Sequence, residues 1–194
     1  HYPAEVMAAV LSSDMDNTDK VTGFLDEARA MGLTVLPPDV NESAYMFCAT
    51  KPDTIRYGLG AVKGVGRGAC EAIVEARRAG PFKDLLDLAQ RCDGGRLNRR
   101  VLEALAQAGA LDALGRNRAS LMLQVPEVLR ATDQLSKELA AGQASLFGGV
   151  DTAAPALRID LPECDEWPIR RVLDAERDTL GHYLSGHPFD PYRE

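Results

Sequence analysis

The sequence predicts a mainly α-helical chain with one small β-hairpin and a partly extended linker. Three observations predict it. Apolar residues recur at helical spacing in stretch after stretch, glycine and proline punctuate those stretches, and strand-prone runs flank a turn sequence at Lys51-Pro52-Asp53. With 194 residues, 45% of them hydrophobic, the chain can bury a real core.

Pro3 suits a first helical turn, and Val6, Met7, Val10 and Leu11 keep helical spacing up to the polar run SSDMDNTD. Thr18 or Asp19 is placed to cap a second helix, with Val21, Phe24, Leu25, Ala28 and Met31 along one face and Gly32 at its end. Asp14, Asp16 and Asp19 cluster around that helix start, where carboxylates offset exposed amides and the dipole. LTVLPPDVN reads as extended, and AYMFCAT with TIRYGL reads as a β-hairpin. A short helix is expected over Gly60 to Lys63. A longer one runs from Arg67 through Arg78, with Ala69, Ile73 and Ala76 inward, until Gly80-Pro81 stops it. FKDLLDLAQRC follows as a short amphipathic helix. LNRRVLEALAQAGALDALGRNRASLMLQV then reads as helix, glycine-bounded turn, helix. Glu127 to about Ala141 is polar and amphipathic, GQASLFGGVDTAAPALRID reads as an exposed linker, and a last helix is expected near Trp167 to Asp178.

No run approaches the roughly eighteen apolar residues of a membrane span, and the opening residues lack the basic-then-apolar pattern of a leader. The expectation is a cytoplasmic protein with no membrane partner. The lack of an initiator Met, with a helix starting at Pro3, points to a piece of a longer polypeptide. Cys48, Cys70, Cys92 and Cys164 lie too far apart for a paired-thiolate zinc site and read as packed free thiols. His182 and His187, in a turn context, are not spaced as metal ligands, and no metal site is expected. The net charge of −7 is unevenly spread: residues 56–130 carry 13 Lys plus Arg against 8 Asp plus Glu, and the remainder carries 9 against 21. A basic binding surface within an acidic assembly has this distribution.

GLGAVKGVGRGACEAI places five glycines between two helical patterns. Glycine at Gly64 and Gly66 lets backbone nitrogens approach a phosphate, and the helix beginning at Arg67 would aim its unpaired amides and positive dipole end at the anion. Val65 plugs the turn into the core. Lys63 and Arg67 flank it with charge, beside Gly68. Neither a G-x-x-x-x-G-K-[ST] run nor G-x-G-x-x-G is present, which disfavours a mononucleotide. Leu59, Val62, Gly64, Val65, Gly66, Ala69 and Ile73 resemble the helix-hairpin-helix motif. In that family the hairpin amides hold the phosphates of double-stranded DNA without reading sequence, and motifs pair to grip both strands. The resemblance implies a second hairpin from Gly109 to Gly115 with Arg116, Asn117 and Arg118 following, although five residues separate its glycines.

Gln143-Ala144-Ser145-Leu146-Phe147 sets two large apolar residues in a polar, glycine-flanked run, as an anchor for a partner's pocket would. It resembles the bacterial sliding-clamp binding motif. With RYGLGAVKGVG, GPFKDLLDL, LNRRVLEALAQAGALDALG and TLGHYLSGHP, the chain resembles the alpha subunit of bacterial DNA polymerase III over almost its whole length.

That resemblance implies four parts: residues 1–55 as the end of a fingers domain, 56–130 as a tandem helix-hairpin-helix domain, 131–165 as a linker holding the clamp anchor, and 166–194 as a helix leading toward a missing OB domain. The implied partners are double-stranded DNA, the beta sliding clamp, and the rest of the polymerase subunit and holoenzyme. The family's reaction is nucleotidyl transfer with two Mg2+ ions held by palm aspartates. Those residues would lie upstream, so the segment itself is expected to hold no cofactor and to be inactive alone. An error-prone paralogue of the same subunit, or a non-catalytic DNA-repair module, are the alternatives. The clamp-like run favours the replicative form.

Overall fold

A computed structural model of the chain describes residues 2–92, 95–140 and 159–186, which form seven α-helices and one small sheet. α1 (Pro3–Ser13) opens on its proline and turns Ala4, Met7, Ala8 and Leu11 inward. Its buried stripe is thus shifted from the one expected, and Val6 is 63% exposed. α2 (Thr18–Ala30) is capped by Asn17, whose side chain accepts the Lys20 amide at 3.2 Å, one residue before the two caps the sequence offered. Gly32, at φ 80°, ends it in the left-handed region.

β2 (Cys48–Lys51) and β3 (Thr54–Arg56) form the expected antiparallel hairpin around Pro52-Asp53, with a register shift between Ala49 and Lys51. β1 (Thr34–Leu36), read from sequence only as extended, pairs in parallel with β3 and sets Val35 opposite Ile55. The boundary drawn between residues 55 and 56 therefore falls inside a strand.

A 3-10 turn at Leu59–Ala61 stands where a short helix was expected at 60–63. α3 (Arg67–Ala76) runs into a second 3-10 turn, and Gly80 at φ 125° closes it. α4 (Leu85–Arg91) and α5 (Arg99–Gln107) start at Asp84 and Asn98, which accept the amides of Asp87 and Val101. α6 (Arg118–Ala140) joins two segments that the sequence separates at Pro126. Proline removes one hydrogen bond from the ladder, while fully buried Val125 and Val128 hold both sides of it to the core. α7 (Ile169–Leu180) ends at Gly181, φ 83°.

One hydrophobic cluster runs from Ala4 to Leu180. Polar ties cross it. The Asn41 amide pairs with the Phe82 backbone in both directions (3.1 and 2.7 Å), Arg77 donates to the carbonyls of Val40 and Ser43 (2.9 and 2.6 Å), and the Val40 amide donates to Ala110 (3.0 Å). All four cysteines are free, and burial pushes the Cys70 and Cys92 thiols up to about 11. No described helix is long and apolar enough to cross a membrane.

Candidate nucleic-acid interface

Val62, Val65 and Ala69 are buried, which pins the chain on both sides of the turn and pushes the glycines between and after them to the surface. Gly64 has φ 90°, a conformation that side chains rarely adopt. The amides of Val65 and Lys63 are spent on the carbonyls of Val62 and Thr179 at 3.1 and 2.8 Å. The amides of Gly64, Gly66, Arg67 and Gly68 have no acceptor among the described residues. Gly66 caps α3 with no side chain, and a Cβ added at Gly66 or Gly68 would meet nothing within 4 Å. Unpaired donors at a helix start, beside open space, form an anion-binding concavity.

Cations border it. Lys63 and Arg67 are exposed, and the Arg67 guanidinium is held over the Tyr45 ring at 5.1 Å and against Glu71 at 3.1 Å. The concavity opens into a cleft of about 600 Å³ lined by Gly64, Gly66 and Gly68 on one side and by Arg96, Asn98 and Arg100 on the other. Sequence reasoning missed this second wall. Its signal was the run Arg96-Leu97-Asn98-Arg99-Arg100, which reads as an ordinary capped helix start until the fold lays it across from the glycines.

The second hairpin is built but internally committed. Gly109 is buried, its amide donates to Ala106 at 3.1 Å, and a Cβ there would strike the Arg118 guanidinium. Gly115 has extended backbone, and its missing side chain makes room for Leu121. The Asn117 side chain accepts the Ser120 amide at 2.7 Å and donates to Cys164 at 2.9 Å. Arg118, expected to face DNA, is instead buried between Asp112 and Glu176, each at 2.9 Å. Burial pulls its pKa down, but hydrogen bonds and charge from those two carboxylates more than offset this and raise it. The start of α6, where a phosphate would sit, already holds the Glu166 carboxylate, which accepts the amides of Arg118 and Ala119 at 2.9 and 3.1 Å. Burial raises the Glu166 pKa, yet these amides, that of Trp167 and the Arg118 charge hold it below the usual range. Arg116 stays exposed, 3.4 Å from Glu163. Of the sequence-derived contacts, the structure thus brings Lys63, Gly64, Gly66, Arg67 and Gly68 together at one surface, with the Val65 side chain buried beneath them. It assigns Gly109, Asn117 and Arg118 to packing, capping and ion pairing, because a buried guanidinium needs internal carboxylates. Gln143 to Phe147 lie outside the described residues.

A family model described as helix-hairpin-helix motif matches residues 32–121, from the turn after α2 through the start of α6. The DNA polymerase III subunit alpha of Xylella fastidiosa (strain Temecula1 / ATCC 700964) is 64% identical over 195 residues, which covers 100% of this chain and 16% of that relative. That of Escherichia coli (strain K12) is 50% identical over 193 residues, covering 99% of this chain and 17% of the relative. By sequence the chain is similar to a segment of the DNA polymerase III alpha subunits. It spans about a sixth of their length. The match to the alpha subunit of Vibrio cholerae, 50% identical over 193 residues, again covers 99% of the chain. The alpha-subunit relationship therefore embraces both hairpins and the sheet alike.

Proposed function

We propose that this chain serves a replicative DNA polymerase as the segment that retains duplex DNA by its sugar-phosphate backbone and tethers the polymerase to a sliding clamp. The observation that carries the first part is the group of four amides without an acceptor among the described residues, Gly64, Gly66, Arg67 and Gly68, gathered at a turn whose φ of 90° at Gly64 favours glycine. Such donors recognise a phosphodiester of any sequence, since they touch no base edge. The clamp part rests on Gln143 to Phe147, where Leu146 and Phe147 would fill a pocket and the Gln143 amide would orient them. The segment's contribution to nucleotidyl transfer is retention: two tethers raise the effective concentration of primer end at a catalytic centre lying elsewhere in the subunit. The chain alone is expected not to polymerise DNA.

One experiment tests both parts, using a fluorescent 20-base-pair duplex of arbitrary sequence and immobilised clamp. Gly66→Val, whose side chain would enter open space at φ −78°, leaves the fold intact and weakens duplex binding equally for unrelated sequences. A Leu146→Ala, Phe147→Ala chain keeps duplex binding and loses clamp capture. Unaltered duplex affinity in the first variant, or unaltered capture in the second, removes the corresponding half of the proposal.

A further inference from the structure

We infer that the second grip on the DNA backbone comes from the Arg96–Arg100 wall of the cleft and not from the second hairpin. The inference rests on the duplex-binding reading above.

Three independent observations support it. The places where the second hairpin would hold a phosphate are filled from within, by Glu166 on the amides of Arg118 and Ala119 and by Arg118 beside Gly109. Arg116, the exposed cation of that hairpin, lies against Glu163. Across the cleft, by contrast, the side chains of Arg96 and Arg100 have no carboxylate partner among the described residues, whereas neighbouring Arg99 is held by Glu103 at 2.6 Å. Two exposed guanidinium groups, with no carboxylate partner among the described residues, line a cleft whose other lining includes the glycine turn with its peptide donors.

The geometry links the two walls. Arg100 Nε lies 3.9 Å from the place a Cβ would take on Gly64, so its guanidinium stands at the rim of the amide cluster. A phosphate held by those amides is within reach of Arg100, and Arg96 lines the same cleft, where it can take a further backbone phosphate. The guanidinium fork suits a phosphate's paired oxygens and carries its charge at every working pH. The first hairpin and the start of α5 thus form one continuous backbone clamp, and the second hairpin acts as the brace that holds α5 in position.

The test is the salt dependence of duplex binding by the 194-residue chain, measured by fluorescence anisotropy with a 20-base-pair duplex. Circular dichroism melting checks each variant's fold. Each neutralised phosphate contact contributes about 0.9 to the slope of log affinity against log salt. Arg96→Ala and Arg100→Ala are each expected to lower the slope by about 0.9, Arg100→Lys to restore it, and Arg116→Ala to leave it unchanged. If the wild-type chain binds and Gly66→Val weakens it, but the Arg96→Ala, Arg100→Ala double variant keeps the full slope, this inference is wrong and the duplex reading stands. A slope lowered by Arg116→Ala instead overturns it in favour of the second hairpin. Failure of the wild-type chain to bind the duplex in dilute buffer removes both.

Discussion

At φ 90° Gly64 occupies a backbone region closed to most side chains, whereas Gly66, at φ −78°, has a conformation open to any residue, with nothing within 4 Å of an added Cβ. Conformation demands glycine at the first position and not at the second. The sequence pattern treats the two alike, since spacing records neither a dihedral angle nor a void. His182 makes the same point from the interior. It is 6% exposed, its Nδ1 lies 3.1 Å from the Leu180 carbonyl, its ring lies 5.6 Å from that of Tyr57, and its Nε2 has no hydrogen-bond partner among the described residues. Burial lowers its pKa, aided by Arg29 and opposed by the Leu180 carbonyl, Glu176 and Asp26. The unfolded chain takes up a proton near pH 6.5, which the folded imidazole refuses until the pH is lower. Stability contributed by His182 is therefore complete above about pH 6.5 and declines as the pH falls through and below that value. Urea unfolding followed between pH 7.5 and 5 should show this decline, and His182→Gln should flatten it. An identical decline in the variant would place the proton uptake elsewhere.

Among the elements, α7 does more than its expected place as a terminal connection implied. Its Glu176 is fully buried, accepts the amides of Leu184 and Ser185 at 2.7 and 2.9 Å and the Ser185 hydroxyl, and pairs with Arg118 at the start of α6. Burial works to raise its pKa, but these donors outweigh it and hold the carboxylate ionised below its ordinary range. The Thr179 carbonyl reaches the first hairpin through the Lys63 amide. One helix thus joins both hairpins. Removing one member of a buried ion pair costs about 3–5 kcal/mol because the other is left uncompensated. Glu176→Ala should accordingly lower unfolding free energy by about that amount in a denaturant titration. A loss under about 1 kcal/mol would show that the pair is replaceable by water. The amphipathic spacing of α7 was legible in the sequence. Its partners were not, since Glu176 and Arg118 stand 58 residues apart and each reads locally as a surface charge.

Across the whole molecule, the buried cluster spans Ala4 to Leu180 without a break at the boundary drawn near residue 55, where β3 pairs with β1 and β2. Shared burial couples the parts, so thermal unfolding should give one transition, with far- and near-ultraviolet circular dichroism coinciding. Two separated transitions would restore an independent hairpin domain. The sequence by itself determined most of the helices, the β-hairpin, the glycine turn and the alpha-subunit relationship, because each is written in local spacing or in a contiguous run of residues. Only the tertiary structure decided that β1 joins the sheet in parallel, that Arg118 turns inward, and that Arg96 and Arg100 face the glycines. Those outcomes depend on which distant residues share a buried environment. A charge near the surface and a charge in the core cost the chain very different amounts, yet in the sequence both are the same letter.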